Sequence, residues 1–448
     1  MSDIARILKA DTPLTLARVA RGAQPLVLAD LARAAKGRAV FIVPDDTAMN
    51  AVSEAARYFA PELEVIEFPA WDSLPYDRAS PALSISARRL AALHRLQAGR
   101  PSAQLLVTTA NAVLQRVLTP FRIRESVREF APGMEIGRDS LAALLQRQGY
   151  SRTDTVIDKG EYAIRGSIVD VFPSGMDEAL RLDFFGDELE SLRSFDPNTQ
   201  LTTGRLDRHL LLPASEALLD EDSIKRFRTR YRELFGANAT QDPLYEAVSE
   251  GRRLAGMEHW LPLFEDRLTT LFDHLGKDDL LVIDQAALAA AEERAKDVAD
   301  YYEQRKAASG QAKGSYRPLK PDALYLTQDE FDTALADAPA HRGVVVGAAE
   351  RVFLVHVPGP RLGIRVQLRV GVVDLRDLGE VLVLQPVARV VLVAAHVLDQ
   401  RVHVHTRHVT AAETGDRFRA EVLDLCCVEA HHCGRVEVRE LFRVEPFH

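Results

Sequence analysis

At 448 residues the chain is too long for one compact core, so its length predicts about two to four domains. The composition, 47% hydrophobic and 27% charged, is that of a soluble globular protein, and no stretch reaches about 18 uncharged apolar residues. The net charge is -9, whereas a protein that binds nucleic acid without sequence preference normally has a basic surface. These properties predict a cytoplasmic protein with no membrane contact, in which any DNA contact is local or belongs to a partner.

The first 120 residues alternate between strand and helix patterns. The buried-strand pattern "RAVFIVPDD" follows the helical stretch "PLVLADLARAAKG", and "SAQLLVTTANAVLQRVL" has the pattern of a strand that leads into a helix. Between them, "SISARRLAALHRLQAG" has apolar residues at helical spacing, and we expect its Arg88, Arg89 and Arg95 to lie on a solvated face. Such alternation predicts a parallel sheet covered by helices.

Residues 121–205 have a different pattern. One helical stretch, "SLAALLQRQGY", precedes several short alternating strands that are separated by turn residues. In "GEYAIRGSIVDVFPSG", which runs from Gly160 to Gly175, apolar and polar residues alternate from Ile164 to Val171. This part of the chain therefore predicts a small α+β domain, inserted between two larger α/β parts.

The α/β pattern returns over residues 206–345. There the apolar strand "LLVIDQ" precedes the long charged helix "AALAAAEERAKDVADYYEQRKAA". We therefore predict an α/β domain over 1–120 that is completed by 206–345, the inserted domain over 121–205, and an atypical tail over 346–448.

A phosphate-binding loop is the motif to look for in an α/β pattern of this kind. It needs the spacing G-x-x-x-x-G-K-[ST], but Gly22 is followed by Gln24 and Pro25 near the place of the Lys-Ser/Thr pair. The strand "LLVIDQ" ends in Asp284, yet Gln285 follows where a second carboxylate normally polarises the attacking water. The sequence thus predicts a nucleotide-hydrolase-like fold without catalytic residues or a cofactor. The alternative is ATP hydrolysis through an unrecognised site.

The tail differs from the rest of the chain in composition. From residue 351 on there is no lysine, 22 of 98 residues are Val, and 8 of the 13 His of the chain occur. Reading a GC-rich gene in a wrong frame would produce such an excess of Val, Arg and His. A zinc-responsive tail and a genuine Val-rich β domain are the alternatives, although the spacing of the potential ligands matches no recognisable zinc motif and predicts no metal site. These residues are His403, His405, His408, Cys426, Cys427, His431, His432 and Cys433.

Seven segments lie dispersed over about 20–340: "FPAWDSLPYDRASP", "SARRLAALHRL", "LLVTTANAVLQRV", "GEYAIRGSIVDVFPSG", "RLDFFGDELESLRSFDPNTQ", "LLLPASE" and "GMEHWLPLF". In this order they resemble the N-terminal region of the bacterial transcription-repair coupling factors. The first domains of that family are in turn similar to the excision-repair protein UvrB. After about Gly343 the resemblance stops, which favours the wrong-frame interpretation of the tail.

The resemblance implies a degenerate P-loop or helicase-like, UvrB-like α/β domain that has lost its ATP site and is split by an inserted domain that docks onto UvrA. Full-length members of the family are implied to be ATP- and Mg-dependent DNA translocases that displace RNA polymerase stalled at lesions. We expect the motor domains, and the contacts with RNA polymerase and DNA, to lie outside this chain. The expected function is therefore that of an N-terminal fragment that recruits UvrA in transcription-coupled nucleotide excision repair.

The resemblance also implies which residues contact UvrA. They fall on Arg165 in "GEYAIRG" and on Arg181 and Phe185 in "RLDFF". Two arginines can pair with carboxylates, and an aromatic ring supplies the apolar anchor of many interfaces. Strand alternation predicts that Leu182 and Phe184, on the opposite side from Arg181 and Phe185, belong to the core.

The alternative is a purely structural role for the same residues. In that case Arg165 and Arg181 pair with nearby acids such as Asp183 or Glu161 on a solvated face, and Phe185 is buried. Four further residues are expected to be packing residues rather than a binding site: Trp71, Tyr76, His259 and Trp260.

Overall fold

The computed structural model describes residues 14–337, with gaps at 18, 20, 36–37, 100–102, 174–175, 177, 237–239 and 310–315. After residue 337 it describes only the backbone of a few short strands. Among the described residues, no helix is both long enough and apolar enough to cross a membrane. The His and Cys residues of the tail that were considered as potential zinc ligands lie outside the residues whose side chains are described.

The structure alternates strands with helices at both ends and has a strand-rich middle. The strands are β1 (Leu14–Ala17), β2 (Ala39–Val43), β3 (Glu64–Phe68), β4 (Gln104–Thr109), β5 (Arg128–Phe130), β6 (Ser151–Arg152), β7 (Glu161–Arg165), β8 (Ile168–Val171), β9 (Ala179–Phe185), β10 (Glu188–Phe195), β11 (Thr202–Arg205), β12 (His209–Leu211), β13 (Leu280–Asp284), β14 (Val344–Val346), β15 (Arg351–His356), β16 (Arg365–Val370), β17 (Val381–Val383), β18 (Val402–His405), β19 (Cys427–Ala430) and β20 (Cys433–Glu437).

The helices are α1 (Gln24–Ala34), α2 (Asp46–Phe59), α3 (Leu83–Gln97), α4 (Ala110–Val113), α5 (Pro120–Ser126), α6 (Arg138–Arg147), α7 (Glu221–Phe235), α8 (Pro243–Ser249), α9 (Leu261–Phe264), α10 (Gln285–Ser309), α11 (Pro321–Leu324) and α12 (Gln328–Asp337).

A parallel sheet with the order β17-β1-β14-β13-β2-β4-β3 forms the centre of the larger part. Strands β2 and β4 are buried along their whole length, as expected for a sheet that is covered on both faces. Alternate residues of β2 serve two different cores. Phe41 packs in the core beneath α1 and α2, whereas Val40 and Ile42 pack in the core that contains residues of α3 and α10. The predicted mixed α/β fold with a parallel sheet is thus confirmed.

A second sheet, with the order β11-β10-β9-β8-β7-β6, lies in the middle of the chain. Its pairs are antiparallel except for β6 with β7. Leu141 and Leu145 of α6 share a core cluster with one face of this sheet, and so do Phe130 of β5 and Leu211 of β12. These contacts describe a small α+β unit, while the predicted domain boundaries at 120, 205 and 345 stay a prediction.

The small unit is attached to the larger part through buried contacts at its C-terminal exit. Arg89 of α3 binds Glu216 with 2.6 Å between Nε and Oε1, and Trp71 Nε1 donates to the same carboxylate at 2.8 Å. Gly149, with φ = 93°, lies so close to Ser215 that an added Cβ would come within 2.4 Å of its Cβ. The absence of a side chain therefore allows the two segments to meet.

The expectation that Arg89 lies on a solvated face of α3 is wrong. This side chain is fully buried, donates to the Pro69 carbonyl oxygen at 2.7 Å, and stacks over Phe68 with 4.3 Å from its guanidinium carbon to the ring centre. Arg88 and Arg95 are only partly exposed and bind Glu67 and Glu64 of β3. The arginines of α3 thus hold the helix to the sheet and to the returning chain. The four expected packing residues, Trp71, Tyr76, His259 and Trp260, are buried.

Candidate protein-binding surface

Two tight turns at the same end of the small sheet follow two of the three predicted contact residues, Arg165 and Phe185. Arg165 pairs with Ile168 across the turn Gly166-Ser167, and Phe185 pairs with Glu188 across the turn Gly186-Asp187. The first glycine of each turn has a positive φ, 64° at Gly166 and 63° at Gly186, which a residue with a Cβ adopts only at a cost. The local sequence therefore places Arg165 and Phe185 at the ends of β7 and β9.

One face of β9 is buried and the other carries the exposed ring, as predicted. Leu182 and Phe184 are buried in the core that the sheet shares with α6. Phe185, on the other face, is the most exposed of the large apolar side chains described, with 79% of its surface accessible. Burial of such a ring in a partner would remove a large apolar area from water, which makes it a candidate anchor.

Asp170 of β8 joins the two arginines on the outer face. Arg181 binds this carboxylate with both a 2.7 Å Nε–Oδ1 and a 3.0 Å Nη2–Oδ2 contact, whereas Arg165 binds it through Nη2 alone. The side chain of Asp170 is fully buried, that of Arg181 is 16% exposed, and that of Arg165 is 46% exposed. The three groups form an ion cluster whose carboxylate is sealed by its two cations.

Arg181 is held more firmly than Arg165 in this cluster. Its guanidinium carbon lies 4.5 Å from the ring centre of Phe195, so the planar group stacks on an aromatic face. Hydrogen bonding to Asp170 raises the pKa of Arg181 above the ordinary arginine value, which keeps the group charged.

Gln200 closes the cluster at one side. Its carbonyl oxygen accepts from Arg181 Nη1 at 3.4 Å, its side-chain oxygen lies 3.5 Å from Arg165 Nη2, and its amide donates to the Val156 carbonyl at 3.0 Å. Gln200 has φ = 61°, a left-handed conformation that is uncommon outside glycine. The loop is thus strained at the residue that contacts both arginines.

Sequence reasoning missed four residues of this surface. Two of them, Asp170 and Gln200, complete the ion cluster. The other two, Ile157 and Leu201, are exposed apolar side chains that directly follow Val156 and Gln200 in the chain. A signal for Asp170 was present, because a carboxylate between two valines in an otherwise apolar strand needs a charged partner. No sequence signal indicates the strained conformation of Gln200.

The structure agrees with one part of the structural alternative, because Arg165 and Arg181 do pair with an acid of this chain, but it differs at two points. Phe185 is exposed rather than buried, and the acid bound by Arg165 and Arg181 is Asp170. Asp183 binds Arg193 at 3.0 Å, and Glu161 accepts from the backbone amides of 157 and 158, each at 2.9 Å. The two acids that the alternative named thus have other partners.

The residues considered for ATP chemistry have other tasks where the structure describes them. Gln24 and Pro25 form the first turn of α1, and proline has no N–H to offer a phosphate. Asp284 Oδ1 accepts from the amide of Ala286 at 2.9 Å at the start of α10, which begins at Gln285. Within the described residues, no group of three or more His, Cys, Asp or Glu side chains could hold a metal ion. The absence of a cofactor stays a prediction.

A comparison with known protein families matches the part of the chain that forms this surface. A family described as "UvrB interaction domain" matches residues 129–216, a range that contains Arg165, Asp170, Arg181 and Phe185.

The chain is also similar to proteins named transcription-repair-coupling factor. It is 35% identical over 303 residues to that of Haemophilus influenzae, which covers 67% of this chain and 26% of the relative. The match to that of Escherichia coli is 33% over 307 residues, with 68% of this chain and 26% of the relative. The match to that of Myxococcus xanthus is 36% identical over 255 residues and covers 53% of this chain and 20% of the relative. The chain therefore spans about a quarter of the length of the first two relatives. About two thirds of this chain is therefore similar to part of the transcription-repair-coupling factors, and residues 129–216 match the UvrB interaction domain.

Proposed function

We propose that this chain takes part in transcription-coupled nucleotide excision repair by binding UvrA through the outer face of its small sheet. The observation that carries the proposal is the coincidence of the matched domain, residues 129–216, with the exposed Phe185 and the arginine pair Arg165 and Arg181. The site is a binding surface and performs no chemical step.

The chemistry of the surface supports binding to a protein. An exposed ring on the same face of a sheet as guanidinium groups is typical of interface hot spots, where aromatic and arginine side chains dominate the binding energy. The hairpin turns at Gly166 and Gly186 hold the contact residues on strands, so that little ordering is needed when the partner binds.

The proposal concerns only this recruiting step, and we place it in the cytoplasm. It assigns no contact with DNA or RNA polymerase to the described residues. The alternative function, ATP hydrolysis by this chain, finds no support in the described part of the chain, because Pro25 and Asp284 have structural roles in α1 and at the start of α10.

The test is the affinity of the purified full chain for purified UvrA, measured by titration calorimetry or surface plasmon resonance. We expect Phe185→Ala to weaken binding by about 30-fold, because loss of a hot-spot anchor costs about 2 kcal/mol. Phe121→Ala is the matched control, since Phe121 is also strongly exposed, at 66%, but lies on α5 outside the matched domain.

We expect the control Phe121→Ala to retain the affinity of the wild-type chain. Failure of the wild-type chain to bind UvrA would overturn the proposed function. Equal affinities of the wild-type, Phe185→Ala and Phe121→Ala chains would keep the partner but refute the surface.

A further inference from the structure

Two guanidinium groups share one carboxylate in the ion cluster of the small sheet. With one negative and two positive charges, the cluster retains one positive charge that no partner within it neutralises. Arg181 already occupies both oxygens of Asp170, at 2.7 and 3.0 Å. Arg165 therefore adds a second hydrogen bond to an oxygen that is already bound, and it does so with one nitrogen only.

The two arginines also differ in how the rest of the fold holds them. Arg181 is mostly buried and stacks on Phe195, and it touches the backbone of Gln200 at 3.4 Å. Arg165 ends its strand at the Gly166 turn, is about half exposed, and has as its other close contact a 3.5 Å approach to the Gln200 side chain. Arg165 can thus turn outward without disturbing a packed side chain.

We propose that Arg165 leaves Asp170 when the partner binds and pairs with a carboxylate of the partner, while Arg181 stays on Asp170. In this division, Arg165 is the contact residue and Arg181 is a positioning residue that keeps Asp170 neutralised. This inference rests on the proposed function, because it describes how the same surface recognises UvrA.

The exchange costs little inside this chain because Asp170 remains satisfied. After Arg165 departs, the buried carboxylate keeps the two hydrogen bonds and the full charge of Arg181, so no buried charge is left unpaired. On the partner side, Arg165 can form two parallel hydrogen bonds with a carboxylate, a geometry that it lacks on Asp170. Each carboxylate then has one guanidinium.

The apolar side chains near the cluster define the remainder of the recognised feature. Phe185 lies on the same face of the sheet, and Ile157 and Leu201 flank the Gln200 loop, all of them exposed. The structure therefore fits an acidic side chain of the partner that is surrounded by apolar ones.

The experiment compares four variants of the full chain, Arg165→Ala, Arg165→Lys, Arg181→Ala and Arg181→Lys, by UvrA affinity and by thermal unfolding. We expect Arg165→Ala to weaken binding at least 10-fold and to leave the melting temperature unchanged. Arg165→Lys recovers part of the affinity because it keeps the charge. Arg181→Ala lowers both the melting temperature and the affinity, and Arg181→Lys does not restore either, since lysine cannot occupy both oxygens of Asp170.

Arg208→Ala is the matched control for an exposed arginine. Arg208 is 78% exposed, lies within the matched domain, and belongs to no part of the ion cluster. It is expected to leave both readouts unchanged.

Two results would overturn the inference while the proposed function stands. One is a melting temperature of Arg165→Ala that falls as far as that of Arg181→Ala, which would make both arginines structural. The other is wild-type affinity of Arg165→Ala in a chain whose Phe185→Ala variant binds weakly. Failure of the wild-type chain to bind UvrA would overturn the proposed function and this inference together.

Discussion

Glu216 and Asp170 are both fully buried carboxylates that bind arginine, but they lie in very different surroundings. Glu216 meets Arg89, which is also fully buried, and receives a third hydrogen-bond donor from Trp71. Asp170 binds Arg181 and Arg165, and the second of these is about half exposed. One ion pair is therefore sealed inside the fold, and the other opens to solvent.

This difference separates a structural ion pair from a candidate binding surface. A sealed pair has no free side and can only hold its two segments together, here α3 and the chain that returns from the small sheet. An open cluster with more cations than anions can exchange one of its cations with a partner. Burial of the carboxylate alone does not distinguish the two cases, whereas the exposure of the arginine does.

The largest effect is expected at the sealed pair. Replacing Glu216 by alanine removes the carboxylate that binds Arg89. The charged guanidinium stays buried, because Phe68 and Trp71 pack around it. We expect Glu216→Ala to lower the free energy of unfolding by about 4 kcal/mol, measured by chemical denaturation.

Glu250→Ala is the control for this prediction. Glu250 binds Arg252, and both side chains are more than half exposed, so the change should leave the unfolding curve almost unaltered. Similar losses for Glu216→Ala and Glu250→Ala would mean that the burial of the Arg89 pair contributes nothing to stability.

The open cluster should respond less to the same treatment. In an Asp170→Ala chain, Arg165 can turn toward water and Arg181 keeps some exposure, so neither charge is as fully buried as that of Arg89. We expect a loss of about 2 kcal/mol in the free energy of unfolding, again by chemical denaturation. A loss as large as that of Glu216→Ala would erase the distinction between the sealed and the open site.

Local patterns were sufficient for the parts of this fold that depend on neighbouring residues. The alternation in "RLDFF" correctly predicted that Leu182 and Phe184 are buried while Phe185 is not, because side chains in a strand alternate whatever the strand pairs with. The alternation of strands and helices at both ends predicted the parallel sheet, because a helix that connects two strands lets the second strand run parallel to the first.

Pairing across the chain could not be predicted in this way. Asp170 reaches Arg181 only through the register of β8 with β9, and Arg89 meets a carboxylate 127 positions away. The helical spacing of α3 gives no indication that its arginines face the sheet or the returning chain rather than solvent. The choice of Asp183 as a partner failed because Arg193, on the neighbouring strand, already binds it.

The larger part of the chain contains a buried histidine, His259, which should make its stability sensitive to acid. Burial lowers the pKa of His259 to about 4 from an ordinary value of 6.5, and among the described residues neither ring nitrogen has a hydrogen-bond partner. The unfolded chain therefore binds this proton more readily. The associated stability is present above pH 6.5 and is lost as the pH falls toward 4.

The pH prediction can be measured by chemical denaturation at pH 7 and pH 5. We expect His259 to account for about 1.8 kcal/mol of the stability lost between these values. His259→Phe, which keeps a ring beside Trp71 and Tyr76, should lose correspondingly less over the same interval. Identical losses in the two chains would show that His259 is protonated in the folded state.

The smallest effect is expected at the turn that carries Phe185. An alanine at Gly186 must adopt φ = 63°, but its Cβ would meet no atom within 4 Å, so only backbone strain of about 1 kcal/mol is added. Gly256 in the larger part is the contrast, because φ is 80° there and a Cβ would also lie 2.8 Å from the backbone of Arg78. Chemical denaturation should therefore show a greater loss for Gly256→Ala than for Gly186→Ala. Equal losses would mean that the turn is packed as tightly as the interior, and the open character of the Phe185 surface would then be refuted.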